Sequence, residues 1–533
     1  MKAKYILASA ALTATFLTGC VDLDTAPMSA YVTTDQKSEI YESDPAKAEA
    51  GVNGVFAQYS TYMSVTGSRH NDFGYPSIML FTDTNGMDYV SQDNGYNWTG
   101  SSLDFTDRVY TSSDCKVVWN TMYSMIYTSN GVASTIVDPQ DATGKFYLAQ
   151  ALGSRAFDYW VLAQLYQFNY ADHKTSPCVP IITEENATQV GLEGAPRATV
   201  EAVYAQIMSD INKAIELLTA AQADGVKRAD KRYIDLATAY GLRARINLTM
   251  ENWSAAAADA AAAIEASDAT PYTIAQVSKP AFMDSKDNAW MWGIVIAETD
   301  RVVTSGIVNW PSHMGSLSYG YANFSGGHQI NKALFNSIPA TDVRKGWWID
   351  ENCYSPNLNE EQADFVNNYC GYAPYTHVKF APYANEVYTS TNANDIPLMR
   401  IEEMYLIKAE AEAMAGNPAA GKATLEAFVQ TYRNPEYTCA AASAQEMQEE
   451  VWHQRRIELW GEGLSWYDIM RLKKPVDRRG GGYPDVTMVF NIPYGSDIML
   501  WRIPESEIQA NALIEETDNN PSASMPEPVV DFE

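Results

Sequence analysis

The stretch Arg455-Arg-Ile-Glu-Leu-Trp-Gly-Glu-Gly-Leu-Ser-Trp-Tyr-Asp-Ile-Met-Arg471 decides the fold prediction. It mixes charged residues with large apolar ones, and oppositely charged side chains lie within one or two helical turns of each other. When such charges are buried, each requires an opposite partner. The expected pairs are Arg456 with Glu458, and Glu462 and Asp468 with Arg471. We interpret these charges as structural, in preference to the alternative that they are the acids of a glycosidase.

Several helical patterns precede this stretch along the chain. Apolar residues recur every three or four positions over 200–218, and 145–166 has the same spacing. Residues 233–266 predict a helical hairpin about as long as a tetratricopeptide unit of ~34 residues. Residues 399–415 and 419–432 predict another pair. The sequence therefore predicts a mostly α fold, in which tetratricopeptide-like hairpins form a scaffold with long loop-rich insertions and minor β-structure.

Two insertions differ in composition from the scaffold. Residues 66–115 and 300–395 are rich in Gly, Asn, Ser, Asp, Tyr and Trp, and they show little helical period. We predict that they are loops that carry function on a rigid frame. Ala289–Ile296 is the best strand candidate.

Composition excludes several classes of function. The chain has 533 residues, with 37 Lys+Arg against 66 Asp+Glu, which gives a net charge of −29. Such a field repels phosphates, so we expect no nucleic-acid partner. The 33 Tyr and 13 Trp greatly outnumber the 16 Phe, and aromatic rings with a polar tip suit a surface that is partly apolar and partly wet.

The N-terminus is a processing signal. Two lysines precede the apolar run Ile6–Phe16, and Leu17-Thr-Gly-Cys20 resembles a bacterial lipobox. We predict that 1–19 is a lipoprotein signal peptide, that Cys20 is lipidated, and that 20–533 forms the mature domain. An ordinary signal peptide followed by a disulfide cysteine is the alternative. No other segment approaches ~18 consecutive apolar residues, so lipid would provide the anchor.

No catalytic or metal motif accompanies these features. The six histidines are dispersed, and H-E-x-x-H, G-x-S-x-G, Walker-type, dinucleotide and C-x-x-C patterns are missing. We therefore expect no cofactor and no metal site. Cys353 and Cys370 lie in one loop, where a disulfide and two separate thiols are both compatible with the sequence.

Five segments together resemble the SusD/RagB family, the surface glycan-binding lipoproteins of starch-utilisation-type import systems. They are the lipobox at 17–20, Ala50–Phe56, Pro397–Ala411, Arg455–Arg471 and Leu500–Ile508, and they span almost the whole chain. The resemblance implies a helical tetratricopeptide-based fold, an outer-membrane lipid anchor and exposure at the cell surface. It also implies a SusC-like TonB-dependent β-barrel transporter as partner, and no catalysis.

A neutral sugar needs flat aromatic faces for its C–H side and planar polar groups for its hydroxyls. Both insertions supply these groups, and the resemblance implies that glycan sites are built from loops in these regions. The polar candidates are Arg69, Asp93 and Asn94, and the stacking candidates are Tyr96, Trp98, Trp310, Tyr319 and Tyr321. For any single residue, packing within its own loop is the alternative interpretation.

The leading hypothesis is a non-catalytic lipoprotein that captures oligosaccharide or polysaccharide and delivers it to the transporter. An α-helical glycoside hydrolase and a helical-repeat scaffold for proteins remain as alternatives. The identity, linkage and length of the glycan are not encoded in a pattern of aromatic loops.

Overall fold

A computed structural model describes residues 34–67, 71–91, 100–305, 309–319 and 327–532. Helices dominate these ranges, and none of the helices within them combines the length and apolar composition that a membrane crossing needs. The helices are α1 Thr34–Ser43, α2 Glu49–Ala57, α3 Tyr75–Asn85, α4 Gly100–Leu103, α5 Ser113–Ala133, α6 Ala142–Tyr166, α7 Tyr170–His173, α8 Ala187–Glu193, α9 Val200–Ala223, α10 Leu236–Thr249, α11 Trp253–Ala266, α12 Ile274–Val277, α13 Arg301–Thr304, α14 Trp310–Met314, α15 Lys332–Ser337, α16 Glu360–Asp364, α17 Ile401–Met414, α18 Pro418–Tyr432, α19 Ala444–Glu458, α20 Ser465–Arg471 and α21 Glu505–Ala510. The strands are β1 Tyr89–Ser91, β2 Trp290–Ile294, β3 His328–Ile330, β4 Ile396–Arg400, β5 Val476–Asp477 and β6 Asn491–Ile492.

The long helices form a continuous stack in which each packs on the next. Helix α5 packs on α6, α6 on α9, α9 on α10, α10 on α11, α11 on α17, and α17 on both α18 and α19. The hairpin predicted over 233–266 is the pair α10 and α11, and the pair predicted near 399–432 is α17 and α18. The mostly helical, hairpin-based fold class is therefore confirmed.

Helix α9 illustrates how the sequence produces this stack. The Thr199 hydroxyl caps the helix by accepting the N–H of Ala202 at 3.2 Å. Its apolar residues at three- and four-residue spacing, including Val203, Ile207 and Ile211, are completely buried. Burying each large apolar side chain contributes about 1.5–3 kcal/mol, so packing of this face stabilises the helix more than propensity does.

The predicted strand is confirmed as β2, which pairs antiparallel with β4. The register aligns Trp290 with Arg400 and Ile294 with Ile396. Because β4 extends to Arg400, the following helix α17 begins at Ile401, two residues later than the predicted start at Met399.

The first insertion contains a helix that the sequence did not indicate. Every residue of α3 is buried, so the helix shows no polar face and no amphipathic period. Its polar side chains are bonded inside the protein: Asp83 accepts the N–H of Gly463 at 3.0 Å, and Asn85 donates to the Ser102 carbonyl at 2.7 Å. The prediction of loop structure was therefore wrong for this part of 66–115.

The signature around Glu458 forms a buried ion-pair network. Glu458 accepts Arg433 at 2.7 Å, Arg400 at 3.2 Å and Arg344 at 3.5 Å, and these side chains have no exposed surface. We call the whole set the Glu458 network. Its members are Asp342, Arg344, Lys379, Arg400, Glu402, Arg433, Glu458 and Glu462. The structural interpretation of these charges agrees with this burial.

The predicted partners within the signature were only partly right. Asp468 and Arg471 form the expected pair at 2.8 Å. Arg456, however, binds Asp88 at 2.5 Å and not Glu458. Residue 88 lies far away in the sequence, so no local charge pattern could reveal it.

Glu462 was also assigned the wrong partner. It pairs with Lys379 at 2.7 Å and with Arg400 at 2.8 Å, and not with Arg471. Lys379 lies in the second insertion, and Arg400 is the last residue of β4, directly before α17. Glu462 therefore connects the signature to the second insertion and to β4.

Candidate functional site

Strands β1 and β3 bring the two insertions together. They pair antiparallel, with Tyr89 opposite Ile330 and Ser91 opposite His328. Within the first insertion, Ser91 precedes Asp93, Asn94, Tyr96 and Trp98, and within the second, His328 follows Trp310, Tyr319 and Tyr321. The sheet therefore pairs a residue just before one group of candidates with a residue just after the other group.

Asp114, at the start of α5, makes a second connection. Its carboxylate accepts the side-chain amide of Asn71 at 2.7 Å and the hydroxyl of Ser101 at 2.8 Å. These partners follow the segments that contain Arg69 and Trp98, respectively. One buried carboxylate therefore joins Asn71 to Ser101.

Three exposed tyrosines of the second insertion lie in contact with one another. We call Tyr319, Tyr369 and Tyr388 the tyrosine platform; their exposed fractions are 38%, 55% and 43%. The ring centroids of Tyr319 and Tyr388 are 5.9 Å apart, those of Tyr369 and Tyr388 are 4.4 Å apart, and both pairs meet edge to face. The Tyr369 hydroxyl donates to the Tyr388 hydroxyl at 2.5 Å. The platform therefore combines apolar ring surface with hydrogen-bonding tips.

Backbone bonds hold the platform residues in place. The N–H of Tyr388 donates to the Leu317 carbonyl at 2.8 Å, and the N–H of Tyr319 donates to the Thr389 carbonyl at 2.8 Å. Tyr388 has a left-handed φ of 67°, which costs a non-glycine residue about 1–2 kcal/mol. Such strain persists only where the surroundings enforce it, and it is frequent at ligand sites.

The support beneath the platform is a small apolar cluster. Phe365 stacks on Tyr369 with centroids 5.8 Å apart, and the six residues Phe365–Cys370 form a π-helix. Segments of π-helix are rare and are found disproportionately at functional sites. The buried members of the cluster are Leu317, Ile349, Phe365, Val366, Tyr372 and Val378.

The platform is electrically neutral. Tyrosine side chains are uncharged at neutral pH, so the platform carries no charge of its own. On a chain of net charge −29, a neutral aromatic surface favours a neutral ligand over an anionic one.

Trp310 does not fit the stacking role predicted for it. The side chain is fully buried in α14, and its ring meets the edge of Phe380 with centroids 5.2 Å apart. A ring without accessible surface offers no face to a sugar, so in this structure Trp310 is a packing residue. The Asn309 side chain caps α14 and fixes this orientation.

Two buried histidines lie next to each other, His328 in strand β3 and His313 in helix α14. The rings of His313 and His328 stack nearly parallel at 6.4 Å, Phe73 packs on the first and Tyr89 on the second. Burial lowers the pKa of each imidazole to about 3, and in His313 the proximity of His328 adds to this. Both rings are therefore neutral at physiological pH.

The remaining site predictions differ in outcome. Arg69, Asp93, Asn94, Tyr96, Trp98, Tyr321 and the lipidation candidate Cys20 lie outside the described residues and stay predictions. Tyr319 lies in the platform. Tyr369 and Tyr388 were missed, although both belong to the Tyr-rich insertion 300–395.

Cys353 and Cys370 are separate thiols beside the platform, so the disulfide alternative is not formed. Burial raises the pKa of the Cys370 thiol to about 12, which makes it a poor nucleophile. Within the described part of the chain, no group of three or more His, Cys, Asp or Glu side chains is arranged to hold a metal ion.

The geometry defines a class of protein: a stacked helical-hairpin frame whose second insertion presents an exposed aromatic surface. A family model described as "SusD family" matches residues 346–521, and one described as "Starch-binding associating with outer membrane" matches residues 70–248. With both matches taken together, the chain belongs to the SusD/RagB family. The comparison with curated protein sequences gives no match.

Solved structures share the fold. A SusD-like carbohydrate binding protein from Bacteroides vulgatus is 24% identical, with a TM-score of 0.71 over 90% of this chain and 98% of that one. A SusD superfamily protein from Bacteroides thetaiotaomicron is 19% identical, with a TM-score of 0.68 over 92% and 100%. A SusD-like protein from Bacteroides fragilis is 14% identical, with a TM-score of 0.65 over 93% and 99%.

Proposed function

We propose that this protein is a non-catalytic, cell-surface lipoprotein that captures oligosaccharide or polysaccharide and delivers it to a SusC-like TonB-dependent transporter. Cleavage after residue 19 and acylation of Cys20 would anchor the domain 20–533 in the outer membrane. The family description "Starch-binding associating with outer membrane" supports both the class of ligand and the location.

The tyrosine platform is the observation on which the proposal rests. Its rings present apolar faces to the C–H side of a pyranose, while the hydroxyls of Tyr369 and Tyr388 offer hydrogen bonds to sugar hydroxyls. Residues on a rigid, strained backbone lose little entropy on binding, which favours affinity.

Other predicted contacts lie close in sequence to the platform or to the β1–β3 sheet. Tyr321 follows Tyr319 by two residues, and Asp93 follows Ser91 by two. Because β1 and β3 pair at Ser91 and His328, the candidates of both insertions leave the frame from adjacent points. This convergence supports one shared glycan site.

Capture without cleavage is favoured over hydrolysis by the positions of the signature carboxylates. Glu458 and Glu462 are each held by two or more basic side chains, with their ionised forms favoured, and they are buried in the core. Neither carboxylate reaches a surface at which a polymer could bind.

The test is native electrophoresis of the protein from residue 21 onward through gels that contain amylopectin, pullulan, inulin, xylan, mannan or host glycans. We expect retardation by at least one polymer, without release of reducing ends. Tyr388→Ala should lose the retardation, whereas Tyr127→Ala, which removes a 77% exposed tyrosine on α5, should keep it. Sugar release that a Glu-to-Gln change abolishes would favour a hydrolase, and transporter binding without any glycan binding would favour a protein scaffold.

A further inference from the structure

A cleft of about 470 Å³, lined by none of the three platform tyrosines, opens elsewhere on the described part of the protein. It lies between the loop 279–287 and the two segments 381–385 and 393–395, all within the described residues. We call it the Tyr383 cleft. Its volume is within the range of small-molecule sites, and none of the residues predicted from the sequence lines it.

The walls of the cleft are preformed. The N–H of Ala381 donates to the Ala281 carbonyl at 2.9 Å, which joins the two sides. The Asp395 carboxylate accepts the N–H of Ser285 at 2.9 Å and that of Ile296 at 2.8 Å. A ligand therefore does not have to order these loops when it binds.

The lining has the chemistry of a sugar subsite. Tyr383 contributes a half-exposed ring, and Lys279, Asp284, Lys286 and Asn385 contribute exposed hydrogen-bonding groups. Both signs of charge are present, so the cleft has no strong preference for an ion of either sign. An uncharged polyhydroxy ligand can use the ring, the amide and the charged groups at once.

The cleft and the platform share one chain segment. Tyr383 lines the cleft and Tyr388, five residues later, belongs to the platform, so a fully extended backbone separates them by at most about 18 Å. A chain of several sugar rings covers such a distance, whereas a single ring does not.

We propose that the Tyr383 cleft is a second subsite for the same glycan that binds the tyrosine platform, and that the protein selects extended chains over short ones. The inference rests on the proposed function. When one chain occupies both subsites, the second contact forms at a high effective concentration, so the affinity for a long chain exceeds that of either subsite alone.

The experiment is isothermal titration calorimetry with a size series, disaccharide through octasaccharide, prepared from each polymer that the gel assay retains; for amylopectin this is the maltose series. The proteins are the wild type, Tyr383→Ala, Lys286→Ala, Tyr388→Ala and the control Tyr127→Ala. We expect affinity to rise at least about tenfold from the shortest binding oligosaccharide to the longest.

Tyr383→Ala should remove most of this gain, roughly tenfold for the longest chain, and leave the affinity for the shortest unchanged. Lys286→Ala should act in the same direction, and Tyr388→Ala should weaken every length. Equal affinity at all lengths, or a Tyr383→Ala protein that keeps the full gain, contradicts the second subsite but leaves the proposed function intact. Retention by no polymer at all contradicts the proposed function, and the second subsite with it.

Discussion

The Glu458 network and the tyrosine platform use polar side chains in opposite ways. In the network, guanidinium and carboxylate groups without exposed surface satisfy one another, so every charge is committed to the fold. On the platform, three tyrosines keep between 38% and 55% of their surface exposed. The hydroxyls of Tyr369 and Tyr388 are hydrogen-bonded to each other. The most recognisable motif of this chain therefore maintains the frame, whereas the proposed ligand surface arises from residues without a motif.

The largest expected effect follows from breaking the network. Glu458→Ala leaves three buried guanidinium groups without their shared carboxylate, so the free energy of unfolding should fall by about 3–5 kcal/mol. Urea unfolding monitored by tryptophan fluorescence measures this. The control Glu216→Ala removes the partner of Lys213 in an exposed pair and should cost less than about 1 kcal/mol. A loss for Glu458→Ala no larger than that of the control would contradict the structural role.

Acid should affect the frame before it affects the platform. The folded state lowers the pKa of His313 and His328 to about 3, so below the ordinary pKa of 6.5 the unfolded state binds more protons. Stability should therefore fall as the pH drops from 6.5 toward 3, on the order of 3 kcal/mol per histidine at pH 4. Urea unfolding at pH 7 and pH 4.5 tests this. His313→Leu should show a smaller loss between these two pH values than the wild type does, and an equal loss argues against the histidine.

Removing a platform ring should weaken glycan binding and leave stability nearly unchanged, which is the opposite of the stability loss predicted for Glu458→Ala. Tyr388→Ala should weaken glycan binding roughly tenfold, because it removes a stacking face and the acceptor of the Tyr369 hydroxyl. The exposed position predicts a stability change of less than about 1 kcal/mol. Calorimetric titration and urea unfolding of the same preparation separate the two quantities. Lost stability with unchanged affinity would assign Tyr388 to the frame.

The smallest effect isolates the hydroxyl pair. Tyr369→Phe keeps the ring and removes the hydrogen bond to Tyr388, so affinity should fall only about two- to fivefold, in line with about 0.5–1 kcal/mol for one neutral hydrogen bond. Titration against the same oligosaccharide measures the change. A loss as large as that of Tyr388→Ala would mean that the hydroxyl, and not the ring face, dominates binding.

Sequence reasoning succeeded where contacts are local or periodic. The spacing of Val203, Ile207 and Ile211 predicted α9, because one face of that helix is buried and the other is not. The same reasoning missed α3, which is buried on all sides and therefore has no period. Arg456 and Asp88 show the other limit, since their contact depends on the folded chain alone.

The candidate site was predicted less well than the fold for the same reason. Composition identified the Tyr-rich insertion, but composition does not distinguish an exposed ring from a packed one. Trp310 is buried against Phe380, while Tyr369 and Tyr388 are exposed on a π-helix and a strained loop. Only the long-range folding of the insertion decides which of them faces solvent.

The register of β1 and β3 has a consequence for the diversification of such proteins. Because Ser91 and His328 are opposite each other, residues 92–99 and 320–326 both begin or end at one short two-stranded sheet. The helical stack and the Glu458 network lie outside these two stretches. Substitutions confined to these two stretches leave the sequence of the stack and of the Glu458 network unchanged, so under the proposed function homologues could differ in ligand while they share one frame.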